Sequence, residues 1–259
     1  RDRAGARGER PVWIQSGRLR PEADRLGEAI AHAAQDGLSP ERYGAAELNA
    51  ALAAARNGGA RPLARAEVLL TQALASYVAD LHHAPRDAAM ILTDAALPVP
   101  LDRRSVLASI GEAPSPDARL SALLQMHPVY DAMRAALADY EAQWGGLPDV
   151  RITPGPPLKI GSRGPRIVLL RRRLALPEGD AFDPATVEKV RAFQTVHGLP
   201  VTGRGDAVTI AALNRGPRPY ERVLRLNLER ARALPGDPGE RHILVDAGAA
   251  ELWLYEGRR

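Results

Sequence analysis

The chain contains no cysteine. That excludes disulfides, thiolate metal sites and a cysteine nucleophile within its 259 residues. Lysine is nearly absent as well. Only Lys159 and Lys189 occur, so 33 of the 35 basic side chains are arginine. No uninterrupted apolar run approaches the ~18 residues of a membrane span, so no membrane span is expected in this segment. HExxH and comparable ligand spacings are missing too, and neither a metal nor a cofactor is expected. The first residue is Arg1, with no methionine and no charged-then-apolar leader ahead of it. The expectation is that a signal peptide has been removed.

What is present is ordinary globular composition. Hydrophobic residues make up 45% and charged residues 25%, which argues against disorder. The formal net charge is +4. Arginines are interleaved with acids, as in Asp24-Arg25 and Glu229-Arg230, in the manner of solvated helix faces. A nucleic-acid partner is therefore not expected, while the basic balance suits an anionic polymer.

Residues 13–144 read as helices throughout. Pro21 to Gln35 carries Leu26, Ile30 and Ala33 on one face, with Gly37-Leu38 as its glycine stop. Ser39-Pro40-Glu41 reads as an N-cap followed by a first-turn proline. The helix from Pro62 to His83 is expected to bury Val68, Leu69, Ala73, Tyr77 and Leu81. Further helices are expected at Asp102–Ile110 and Ser115–Gln125. Tyr130, Met133, Leu137, Tyr140 and Trp144 then recur at helical spacing from Pro128 to Trp144.

Residues 145–157, GGLPDVRITPGPP, have a linker composition. A small unit follows over 158–214. Its first helix holds Ile167, Leu170 and Leu174, and Asp183-Pro184 opens a second with Val187, Val190 and Phe193 inward. Asp206 opens a third through Ile210 and Leu213. Pro219 to Leu234 reads as one more amphipathic helix. Residues 242–246 and 251–255 then read as two strands around a tight Ala247-Gly248 turn. Two strands are marginal by themselves, so they read as the opening hairpin of a sheet that continues elsewhere.

The second unit resembles the peptidoglycan-binding domain 1 family. The residues that carry the likeness are Lys159-Ile160-Gly161-Ser162-Arg163-Gly164, Leu169-Leu170, Phe182-Asp183 and Thr186. Arg191-Ala192-Phe193-Gln194, His197-Gly198-Leu199, Thr202-Gly203, Thr209 and Leu213-Asn214 complete it. The Leu-Gln usual in the family's first helix is Leu170-Arg171 here. The order of parts is in turn similar to the large periplasmic L,D-transpeptidases of Gram-negative bacteria. Trp13, Gly37-Leu38-Ser39-Pro40-Glu41-Arg42-Tyr43, His127-Pro128-Tyr130 and Asn227-Leu228-Glu229-Arg230-Ala231-Arg232-Ala233-Leu234-Pro235 support that likeness.

The resemblance implies a mainly α chain. A helical scaffold domain would occupy 1–144, a Pro/Gly linker 145–157 and a three-helix peptidoglycan-binding module 158–214. Residues 215–259 would give a connecting helix and the first hairpin of an incomplete β-sandwich domain. It implies a periplasmic location and peptidoglycan, through its glycan strands or stem peptides, as partner, with other cell-wall enzymes as further partners. In the family, a cysteine in a Ser-His-Gly-Cys type motif attacks a stem-peptide carbonyl and forms a thioester, which an acceptor amine resolves into a cross-link. No residue here matches that motif, so no catalytic residue is carried over and the chain alone is expected to be inactive. The expected role is the non-catalytic, peptidoglycan-binding front of such an enzyme. The alternative is a non-enzymatic wall-binding scaffold or adaptor.

Among individual residues, the polar positions at helix ends of the small unit are the candidate peptidoglycan contacts: Arg163, Gln194, Arg204 and Asp206. Arginine pairs with carboxylates in forked geometry, whereas Asp206 also fits a plain N-cap. His197-Gly198 reads as a helix C-terminus, with a histidinium favourable against the helix dipole. His82 and His83 are adjacent on a helix and point apart, which disfavours a shared metal. Ser105, Ser109 and Ser162 lack a nucleophile-elbow context, and Gly161-x-x-Gly164 lacks the Gly-Lys-Ser/Thr of a phosphate loop. Trp253 is expected to face opposite to Leu252 and Leu254.

Overall fold

The computed structural model describes residues 11–82, 101–246 and 250–257. His83 and the Ala247-Gly248 turn lie outside the described residues. The fold is mainly α, as the sequence leads one to expect. The chain divides into two compact units. One takes the described residues up to Ala135 and those from Leu226 onward, and the other is Ala136–Arg225.

Helices α1 (Pro21–Ala31), α2 (Ala45–Arg56), α3 (Ala60–Leu81), α4 (Arg103–Gly111) and α5 (Pro116–Leu124) belong to the first unit, with the first turns of α6 (Pro128–Tyr140). The periodic stripe of α1 buries Ala23, Leu26 and Ile30. Gly27 on the same face is a packing requirement, since a Cβ there would stand 2.7 Å from Leu52 Cδ1 on α2. Gly37 stops the turn after α1 in the left-handed region, at φ 68°, and the N–H of Leu38 reaches back to the Ala33 carbonyl at 3.0 Å.

Three expectations need correction. The chain is not helical from Trp13 onward, because Ile14–Gln15 (β1) and Arg18–Leu19 (β2) form a small antiparallel hairpin. Its cause is local, for Ser16 and Gly17 both take positive φ, 51° and 73°, and turn the chain in two residues. Glu67 on α3 then anchors the entry, accepting from the backbone N–H of Val12 at 2.6 Å and of Trp13 at 3.0 Å. Second, Val68 is 54% exposed, and the buried stripe of α3 runs through Leu63, Ala66, Leu70, Ala73, Leu74, Tyr77, Val78 and Leu81. The run Val68-Leu69-Leu70 offers apolar side chains on three successive faces. The helices that pack on α3 choose among them, and periodicity alone does not. Third, Ser39 does not cap a helix. Its hydroxyl donates to Glu41 at 2.5 Å, and residues 40–43 form a single 3-10 turn.

A polar centre lies within the first unit. Asp36, only 2% exposed, accepts from the hydroxyls of Tyr77 and Tyr130, each at 2.9 Å. Burial holds both phenols protonated well above their ordinary range. Arg232, which follows α10 (Arg218–Ala231), is likewise 2% exposed. Its guanidinium donates to the carbonyls of Asp80 at 3.0 Å and of Asp36, and its Nε pairs with Glu229 at 2.7 Å. One arginine thereby satisfies a carbonyl in the last turn of α3 and another in the turn after α1.

Strands β3 (Arg241–Asp246) and β4 (Glu251–Glu256) pair antiparallel, with Ile243 opposite Leu254, Leu244 opposite Trp253 and Val245 opposite Leu252. Strand alternation puts Trp253 on the face opposite Leu252 and Leu254, as expected. The face carrying Ile243, Val245, Leu252 and Leu254 is apolar, and each of these side chains is more than half exposed.

The second unit is built on α7 (Pro165–Arg173), α8 (Pro184–Val196) and α9 (Ala207–Arg215). Its core joins Ile167, Leu170, Leu174, Phe182, Val190, Phe193, Ile210 and Leu213 to Tyr140, Trp144 and Ile152. The Pro/Gly-rich stretch is therefore held against the helices. Ile152 is fully buried, and the Asn214 carboxamide bonds its N–H and its C=O, each at 2.9 Å. Arg166 adds bonds to the carbonyls of Thr153 and Pro156 at 2.9 and 2.7 Å.

Candidate functional site

The loops of the second unit are set by short antiparallel bridges and by buried side-chain amides. Residues 158–164 bridge outward at both ends. Leu158 exchanges two backbone bonds with Gly205 at 3.1 and 2.9 Å, and Ser162 accepts from the N–H of Phe182 at 2.8 Å. Arg163 projects from this segment with an exposed side chain and pairs with Asp180 at 2.9 Å. Exposed pairs of this kind are worth little, so the guanidinium is readily shared with a ligand.

Gln194 lies at the opposite extreme, fully buried at 0% exposure. Its Nε2 donates to Thr202 Oγ1 at 3.1 Å, to the Arg204 carbonyl at 3.0 Å and to Thr209 Oγ1 at 2.9 Å. Its Oε1 accepts from the N–H of Gly203 at 2.8 Å. A carboxamide so committed and fully buried fixes the 202–206 loop. Gly203 is required in that loop. It sits at φ 67°, and a Cβ would meet Val187 Cγ1 at 2.9 Å. Arg204 stands exposed on the loop so held, while Asp206 caps α9 by accepting from the N–H of Thr209 at 2.8 Å. Gln194, Arg204 and Asp206 thus meet at one loop, and Arg163 stands on the segment that bridges to it through Gly205.

Two buried arginines organise the same unit. Arg171 donates to Asp183 Oδ2 at 2.7 Å, Thr186 Oγ1 at 2.8 Å and the Pro177 carbonyl at 3.0 Å. It thereby clamps the turn between α7 and α8. Hydrogen bonds from Thr186, with that of Arg171, hold the Asp183 carboxyl down to about 2. Arg173 spends Nε and Nη2 on the Leu213 carbonyl at 2.9 and 2.6 Å. Their position one turn before a chain reversal is the only sequence signal of their role.

His197 corrects another expectation. Its ring stacks on Phe193 at 3.8 Å and meets Tyr140, Trp144 and Tyr220 edge-on, with Nδ1 bonded to the Phe193 carbonyl at 2.7 Å. Burial lowers its pKa, which disfavours a histidinium there, and its ring is engaged in aromatic packing. The accompanying expectation for Gly198 stands, at φ 63°. His82 bonds the Leu123 carbonyl through Nε2 at 2.7 Å. Among the described residues no group of histidine and carboxylate side chains could hold a metal ion. No helix among them is long and apolar enough to cross a membrane.

Comparison with known families matches a part of each unit. Residues 5–137 match the family described as "Scaffold domain", and residues 164–213 match the one described as "Putative peptidoglycan binding domain". A comparison with curated proteins returned no match. The second match contains Gln194, Arg204 and Asp206 and begins at Gly164, next to Arg163. The first match spans just over half of the 259 residues and precedes the second, and the chain belongs to the L,D-transpeptidase family built with a helical scaffold domain and peptidoglycan-binding domain 1.

Proposed function

We propose that this chain is the non-catalytic, peptidoglycan-binding portion of an L,D-transpeptidase-like enzyme of the periplasm, the class that joins peptidoglycan stem peptides through a cysteine thioester. The observation that carries the reading is the latched 202–206 loop, which presents Arg204 beside the segment that carries the exposed Arg163. The exposed Arg204 and Arg163, the latter held only by a surface pair with Asp180, suit the carboxylates of stem peptides or muramyl groups. Gln194 and Asp206 serve by holding the loop. Weak contacts suffice, because tethering raises the local concentration of polymer for a linked catalytic domain.

The uncovered face of Ile243, Val245, Leu252 and Leu254 favours the enzyme reading over a wall-binding adaptor. A strand pair with apolar side chains exposed on one face is stable and soluble only when more protein covers it. With no cysteine in the sequence, the chain by itself forms no thioester.

The test is an NMR titration of the ¹⁵N-labelled chain with soluble muropeptides from muramidase-digested sacculi. Amide shifts are expected at residues 161–164 and 202–206, and Arg163→Ala with Arg204→Ala should weaken binding about tenfold. Absence of shifts anywhere in the second unit overturns the reading.

A further inference from the structure

The first unit contains a cavity of about 470 Å³ that the wall-binding reading does not use. Its volume falls in the range of small-ligand sites. Its lining includes Glu28 at the end of α1 with the His32 that follows, Asp131 and Arg134 at the start of α6, and Asp36. We propose that this cavity is a receptor for a zwitterionic amino-acid head group, a carboxylate with an ammonium beside it.

The argument rests on which hydrogen-bonding capacity is spent. Both carboxylate oxygens of Asp36 are taken by tyrosine hydroxyls at 2.9 Å. Arg134 stands 3.5 Å from the nearer of them and 4.0 Å from Asp131, so it is drawn by charge but donates no hydrogen bond among the described residues. A guanidinium has five N–H donors in a planar fork, the geometry that receives a carboxylate in two parallel bonds. Glu28 and His32 offer acceptors. His32 Nδ1 bonds the Glu28 carbonyl at 2.8 Å, so in that tautomer Nε2 is a bare acceptor. The Glu28 carboxylate, one turn earlier on the same face, has no partner among the described residues. Arg25, which also lines the cavity, is already committed to Asp117 and Ser121 on α5 and closes one end. The Arg134 donors on α6, set against acceptors on Glu28 and His32 at the end of α1, match a ligand that carries both charges. A ligand with one charge leaves one set unmatched.

Such a head group is available from a free amino acid or from a stem peptide of peptidoglycan, and only the second source rests on the function proposed above. The experiment uses the ¹⁵N-labelled full chain with four probes: alanine, propionate, ethylamine and muramidase-derived muropeptides. Alanine is expected to shift the amides of residues 28–36 and 131–134, with propionate and ethylamine each at least about tenfold weaker. Arg134→Gln should abolish these shifts. Because Arg134 makes no short hydrogen bond, its thermal unfolding should match the parent. Muropeptide shifts at the same amides assign the stem peptide as source; shifts from alanine alone assign the free amino acid. The proposal is overturned if neither moves these amides, if propionate binds as well as alanine, or if Arg134→Gln leaves the shifts intact. Muropeptide shifts at residues 161–164 and 202–206 in the same sample read the wall-binding site separately, so either idea fails without the other.

Discussion

Replacing Gln194 by leucine is the sharpest perturbation of the second unit. Leucine has a similar volume, so the change removes hydrogen bonds without opening a cavity. Four contacts between 2.8 and 3.1 Å disappear. Two of the abandoned partners, Thr202 and the Arg204 carbonyl, belong to exposed residues with access to water. The N–H of Gly203 and the hydroxyl of Thr209 lie in buried residues. Each orphaned buried group costs about 1–3 kcal/mol, so the two together cost about 2–6 kcal/mol. A small single core holds about 3–5 kcal/mol in all, and the loss is therefore most of its stability. Hydrogen exchange of the α8 amides reads this directly. Exchange should accelerate by about 30-fold or more, and muropeptide binding should fall with it. Acceleration below about threefold would mean that Gln194 does not latch the loop, and the account of how Arg204 is presented would fail.

Other perturbations test other joints. Arg232→Met should destabilise the first unit by about 3 kcal/mol, measured by urea unfolding, because buried carbonyls lose a charged donor. Full retention of stability would contradict the role given to that arginine. His82 and His197 have folded pKa values below the ordinary 6.5, lowered by burial. The unfolded chain then takes up protons first as pH falls. The stability from keeping both rings neutral is complete above pH 6.5 and is lost as pH falls toward their folded values. Urea midpoints should drop between pH 7 and pH 5, and the drop should shrink in His197→Gln. Asp183, held to about 2 against an ordinary 3.8, adds a separate loss between those two values, which Arg171→Met should reduce.

Local rules made much of this architecture legible. Asp183, Asp206, Gly37 and Gly198 all mark the helix ends where the sequence puts them, because a cap is decided by a few neighbouring residues. The turn at Ser16-Gly17 escaped because serine seldom takes positive φ, and the pattern around it is too short to show a period. On α3 the spacing places Ala73, Tyr77 and Leu81 correctly and fails only at Val68, where three apolar residues stand in a row and only the neighbouring helices decide. The larger gap concerns charge. Nothing in the sequence marks Arg171, Arg173 or Arg232 as buried, yet each is, and Arg173 and Arg232 bond carbonyls distant in sequence. A guanidinium is placed by partners that sequence spacing does not reveal. Gln194 shows the same limit: its residue type suited a ligand contact, and only its burial assigns it to the loop.

The most direct measurement of the central claim is the fraction of the purified full chain that pellets with isolated sacculi at about 0.15 M salt. The account predicts pelleting that declines as salt rises and falls sharply when Arg163 and Arg204 are both alanine. A chain that stays in the supernatant, or pellets equally without those two arginines, would contradict it.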